Sequence, residues 1–202
     1  MGLETGTYVS DLNTSNPTNG DAVSQGAGHL RLIKAVLQAT FPDANAPIYG
    51  LRAATVQNLS GTSVSFTDIP SWVQRITVTI SGLSTSGTSR PMLQLGDSGG
   101  AETSGYSGSV VISGTGASAD NSIGFLLAET VSAATAITGR VVLERHNTTN
   151  TWIATSHIIS SGGSLNAGGG AKTLSATLDR IVLKAFNGTD TFDAGTANIL
   201  YE

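Results

Sequence analysis

The chain has 202 residues, of which 12% are charged and 39% hydrophobic, with a formal net charge of −4 and no cysteine. That balance excludes intrinsic disorder, which needs high charge and few apolar residues, and it excludes a disulfide framework or thiol chemistry. A net negative chain also lacks the basic patch that nucleic acid requires, so no nucleic-acid partner is expected. Residues 1–10 carry neither a positive n-region nor an apolar h-region, and no apolar run approaches membrane-spanning length. Folding in a cytoplasm is therefore expected, without membrane insertion. Few charges amid much Gly, Ser and Thr suit a β protein with polar turns, or one whose surface is hidden by partner subunits.

Residues 1–19 form an arm with one weak apolar cluster, Leu3, Tyr8, Val9 and Leu12. Such an arm builds no core alone, so it is either mobile or clamped onto something else. The one long stretch with helical period follows, at 24–41. At 100° per residue Leu30, Ile33, Leu37 and Phe41 fall on one stripe, with Arg31, Lys34 and Gln38 as a polar strip beside it. Leu32 and Val36 widen the apolar arc to about half the circumference, which predicts a helix gripped from two sides. Ser24 is the predicted N-cap and Pro42 the predicted stop. The turn-rich P-D-A-N-A-P at 42–47 is the candidate linker, giving domains 1–47 and 48–202.

From Ile48 the period changes to two. Val64 and Phe66 alternate with hydroxyl residues, and Ile76, Val78 and Ile80 alternate with Thr77 and Thr79. Further strands are predicted at 92–95, 109–112, 123–127, 136–145, 152–159, 179–186 and 197–201, with a turn at Asn187–Gly188. Short strands with no second helical pattern and no fixed repeat predict an antiparallel β-sandwich, jelly-roll-like, after a short arm and one helix. The Gly/Ser-rich stretches 96–108 and 160–172 are expected to be long loops. Loops on a rigid sandwich are common binding sites, which makes Asp97, Tyr106, Asn166 and Lys172 the candidate binding contacts.

Several motifs invite chemistry. G-D-S-G-G at 96–100 matches the surroundings of a serine-protease nucleophile, but the only upstream histidine is His29, in the helix, so a Gly-rich turn is expected. A-G-G-G-A-K-T at 167–173 lacks the glycines of a phosphate-cradling loop and is expected to be a hairpin loop. Glu144 and His146 share a strand face but are too few for a metal site, and His157 is isolated. Glycan hydrolysis needs two carboxylates about 5–10 Å apart. Asp97, Glu102, Asp120, Glu129 and Asp179 offer pairs without a preferred one. Trp72 and Trp152 are aromatics of the core or of an interface. No catalytic residue, metal or cofactor is expected.

D-L-N-x-x-N-P at 11–17, H-L-R-L-I-K at 29–34 and T-F-P at 40–42 occur in an order that resembles the N-terminal module of bacteriophage tail fibre proteins. The ending F-D-A-G-T-A-N-I-L-Y-E at 192–202 resembles the last strand of phage fibre domains. The resemblance implies a structural virion protein, a short tail fibre or tail-tip protein, located in the phage tail after folding in the host cytoplasm. It implies a homotrimer, other tail or tail-tip proteins as partners, and a bacterial cell-surface glycan or protein as a candidate receptor. It assigns virion attachment or the oligomer interface to His29, Leu30, Arg31, Ile33, Lys34, Leu37 and Phe41. The alternatives are a polysaccharide depolymerase or glycosidase tail protein, and a head or collar fibre.

Overall fold

A computed structural model of the chain describes residues 5–7, 9–15, 22–41, 50–115, 118–146 and 149–202. The chain divides into two compact units, Met1–Tyr49 and Gly50–Glu202.

In the first unit, helix α1 spans Gly26–Thr40 and follows a 3-10 turn at Val23–Gln25. The N-cap position is Gln25, so the expected cap at Ser24 is displaced by the 3-10 turn, of which Ser24 is itself a part. Pro42 and the 42–47 linker lie outside the described residues. A second 3-10 turn, Val9–Asp11, packs on α1, and the Val9 N–H donates to Thr40 Oγ1 at 3.1 Å.

The second unit is all β. Its strands are β1 (Arg52–Ala53), β2 (Gln57–Asn58), β3 (Ser63–Phe66), β4 (Arg75–Thr85), β5 (Pro91–Asp97), β6 (Gly100–Ala101) and β7 (Tyr106–Ile112). Then come β8 (Ser118–Asn121), β9 (Phe125–Leu126), β10 (Ile137–Arg145), β11 (Thr151–Ser160), β12 (Leu165–Thr173), β13 (Arg180–Ala185) and β14 (Phe192–Tyr201). A nine-stranded sheet runs β1-β14-β4-β10-β11-β12-β7-β8 with β2 also on β14, and a five-stranded sheet runs β3-β13-β5-β6 with β9 also on β5.

All pairs are antiparallel, and the order is nested. β1 pairs with β14, β3 with β13, β4 with β10, and β5 with β6 and β9. Nested pairing that alternates between two sheets is the jelly roll. The hairpin β7–β8 and the meander β10–β11–β12 extend its larger sheet. The core lies between the sheets. Ile76, Val78, Leu143 and Ile158 from the larger sheet are buried with Leu93, Leu95, Ile181 and Leu183 from the smaller one. Outward positions on β4 carry Thr77 and Thr79, as the alternation predicts.

Two features depart from the sequence reading. Strand β4 continues past Ile80 to Thr85, through Gly82 at φ +64, and β14 begins at Phe192 instead of Ala197. The extra turns of chain are bulged, and Gly195 on β14 (φ +101) lies so close to β4 that a Cβ there would sit 2.6 Å from the Gly82 carbonyl oxygen. Only glycine meets both demands. The larger departure is β12. The stretch L-N-A-G-G-G-A-K-T, expected to be loop, is a central strand paired with β11 on one side and β7 on the other. Its glycines answer to crowding, since a Cβ on Gly168 would lie 2.9 Å from Ser156 Oγ and 3.2 Å from Val110 Cβ.

Candidate functional site

The helix of the first unit presents an apolar arc in two halves. His29 and Val36 are buried, with Leu32 and Thr40 half-buried beside them. Around the next quarter of the circumference Ile33, Leu37, Leu30 and Phe41 are exposed, at 42%, 46%, 62% and 43%. Arg31 and Lys34 are exposed beyond them. The sequence therefore specifies an arc twice as wide as the part that is buried among the described residues. His29 belongs to the covered half, and among the described residues its Nε2 has no hydrogen-bond partner.

The candidate receptor contacts of the second unit are placed differently from expectation. Tyr106, Asn166 and Lys172 are buried at 5%, 1% and 5% exposure, because the stretches that hold them are strands. Their side chains face inward and cannot meet a receptor in this fold, which corrects that assignment. Asn166 Oδ1 accepts the Glu129 N–H at 3.0 Å. Tyr106 reaches from β7 to the edge of β5, between the short strands β9 and β6. There its hydroxyl accepts the Leu95 N–H at 2.7 Å and lies 3.1 Å from the carbonyls of Leu95 and Glu102. Burial pushes this phenol well above its ordinary value of 10.

Lys172 ion-pairs with Glu102, and its Nζ lies 5.3 Å from the Tyr106 ring centroid. Ser175 completes the cluster. Its N–H and Oγ both bond Glu102 Oε1, at 2.7 and 2.8 Å, and Oγ also lies 2.7 Å from Asp97 Oδ2. Burial would raise the Glu102 carboxyl, but the bonds from Lys172 and Ser175 outweigh it and the net shift is downward. The Ser175 bond, then the Gly99 N–H, lower Asp97. Asp97 and Glu102 thus share one hydroxyl, and both carboxyls are held below their ordinary values. The arrangement is a clasp that ties the β5–β6 hairpin and the segment after it to the segment after β12. Glu102 and Lys172 lie 70 residues apart in sequence, and no local pattern announced their pairing.

Ser98 stands in the two-residue turn of the β5–β6 hairpin, where Asp97 Oδ1 accepts the Gly99 N–H at 2.8 Å. The expected hairpin loop at 167–173 is instead part of β12. Glu144 and His146 line a groove with Arg75, Ile153 and Glu202, in which Arg75 and Glu202 pair with each other. Among the described residues no group of three or more His, Asp or Glu side chains gathers as a metal site. Trp152 is core, at 2% exposure, and Trp72 packs partly buried against Tyr201 with ring centroids 5.9 Å apart. Among the described residues no helix is long and apolar enough to cross a membrane. In comparisons with protein families, curated proteins and solved structures, nothing matches the chain.

Proposed function

We propose that the chain is a non-enzymatic structural protein of a tailed-phage virion, a short tail fibre or tail-tip protein that attaches through its N-terminal unit. The observation that carries the reading is the uncovered half of the α1 arc, Leu30, Ile33, Leu37 and Phe41. Burying one such side chain is worth roughly 1.5–3 kcal/mol, so four exposed together on one helix face are a surface for another protein. The resemblance of 11–17, 29–34 and 40–42 to the tail-fibre attachment module supplies the partner class: tail or tail-tip proteins, and further copies of the chain in a homotrimer. The jelly roll then serves to meet the host surface or to bridge to another fibre protein.

The test is incorporation into particles of the full chain, of Ile33→Asp and of a chain lacking residues 1–49. A charge in the apolar contact should abolish incorporation as fully as the deletion does, with the circular dichroism of the β unit retained. Normal incorporation of Ile33→Asp would overturn the assignment of α1 as the attachment surface. Light scattering on the purified chain should give three times 20.5 kDa. A monomer at micromolar concentration would remove the trimer.

A further inference from the structure

An open groove of about 600 Å³ lies on the outer face of the larger sheet, where β12, β7 and β8 run side by side. Its walls are Ser107 and Ser109 on β7, Asp120 on β8 and Ser122 just beyond it, and Gly169 on β12 lies between them. The register makes this one continuous surface, because Ser109 stands opposite Gly169 on one side and Asp120 on the other. All four polar side chains are exposed. Among the described residues none of them bonds another protein group, in contrast to the Asp97–Glu102–Ser175 clasp, where every carboxylate is engaged. The floor cannot be filled by a side chain, since a Cβ on Gly169 would lie 2.7 Å from the Ala154 carbonyl oxygen.

We propose that this groove binds a neutral saccharide. Three free hydroxyls that can donate or accept, and one carboxylate that accepts two donors at once, complement the adjacent hydroxyls of a sugar ring. The bare peptide floor lets a ring approach closely. Other ligand classes fit worse. No Lys, Arg or His lines the groove, so anionic sugars and phosphates meet only the charge of Asp120. A single carboxylate is too few for a cation, and the one large aromatic at the groove, Tyr106, is only 5% exposed, which leaves little to reward a hydrophobic ligand.

The proposal deepens the reading of the jelly roll as the part that meets the host, and it rests on that reading for its biological sense. Binding itself is independent of virion assembly. Loss of saccharide binding leaves the attachment test standing, and failure of attachment leaves the groove standing.

The experiment is a titration of the isotope-labelled full chain, followed by backbone amide shifts, with lactose, maltose, cellobiose and mannobiose as neutral probes and digalacturonate as the anionic control. At least one neutral disaccharide should shift the amides of 107–109, 120–122 and 169, and digalacturonate should bind more weakly. Asp120→Ala should weaken binding about tenfold or more, since a charged acceptor is lost. Ser109→Leu, which fills the groove from the opposite strand, should abolish it. The unchanged remainder of each spectrum reports that the variants are folded. No shift at those amides with any neutral probe, shifts confined to another surface, equal or tighter binding of digalacturonate, or full affinity in Asp120→Ala would each overturn the proposal.

Discussion

Lys172 and Glu102 pair across the space between β12 and the segment that follows β6, with the lysine side chain 5% exposed and the glutamate 21%. Removing one partner strands a charge, whereas removing both strands none. Glu102→Gln should therefore cost close to the lower end of the ~3–5 kcal/mol seen when buried pairs are broken, its partial exposure reducing the effect. The double variant Glu102→Leu/Lys172→Met should recover most of that loss. Denaturant melts of the single and double variants measure it. A single variant within about 0.5 kcal/mol of the parent would show that the pair behaves as a surface one.

The same carboxylate sets a pH dependence. Glu102 has a folded value below its ordinary 4.5, so near and below that pH the unfolded chain binds more protons than the folded one. Its contribution is present above about 4.5 and is lost as pH falls through the lower folded value. The lowered Asp97 and Asp190 act in the same direction. Melting temperatures measured from about pH 7 to about pH 3 should hold level and then fall, and Glu102→Gln should make the acid limb shallower. An acid limb of the same steepness in Glu102→Gln would count against this assignment.

Tyr106→Phe keeps the ring, which packs edge-on against Phe125 with centroids 5.0 Å apart, and removes only the hydroxyl. The Leu95 N–H is then left without its buried acceptor. A loss of about 1–3 kcal/mol is expected, larger than for a hydroxyl exposed to water. Equal stability of the two proteins would mean that water replaces the phenol at the β5 edge.

Two glycines near the Gly-rich run should respond oppositely to alanine. At Gly170 a Cβ would lie 2.6 Å from Gly108 Cα, a backbone atom of the neighbouring strand, so Gly170→Ala should cost about 1–3 kcal/mol. At Gly162, exposed in the β11–β12 turn, a Cβ meets nothing within 4 Å, and the same change should be nearly neutral. Similar melting temperatures for the two variants would show that β12 can shift to make room.

Much of the jelly roll was legible because its strands alternate strongly. Ile76, Val78 and Ile80 on β4 mark one buried face, as do Trp152, Ala154 and Ile158 on β11. Strand β12 was illegible for a physical reason. Its inward positions hold Asn166, Gly168, Gly170 and Lys172, and close packing against β7 and β11 removes the apolar side chains that would give a period of two. Reading β12 as loop turned its buried polar residues into apparent surface contacts, and Tyr106 suffered the same error amid Gly and Ser neighbours. The helix read at 24–41 is α1 at Gly26–Thr40, with the 3-10 turn at Val23–Gln25 in place of the expected cap. Which half of its arc the chain covers by itself was not visible, because that depends on the distant Val9–Asp11 turn.

The nesting of β1 against β14 has a consequence for how the protein is made. Arg52 pairs with Tyr201, and β14 also separates β1 from β4 in the sheet. During synthesis the early strands must wait with open edges until a partner roughly 150 residues later emerges, which at about 5–20 residues per second is on the order of ten to thirty seconds. From its own emergence until β14 follows roughly 120 residues later, β4 has no neighbour on one side and is exposed to pairing with other nascent chains. Its outward face of Thr77, Thr79 and Ser81 is hydroxylated instead of apolar, which limits what such an encounter can gain.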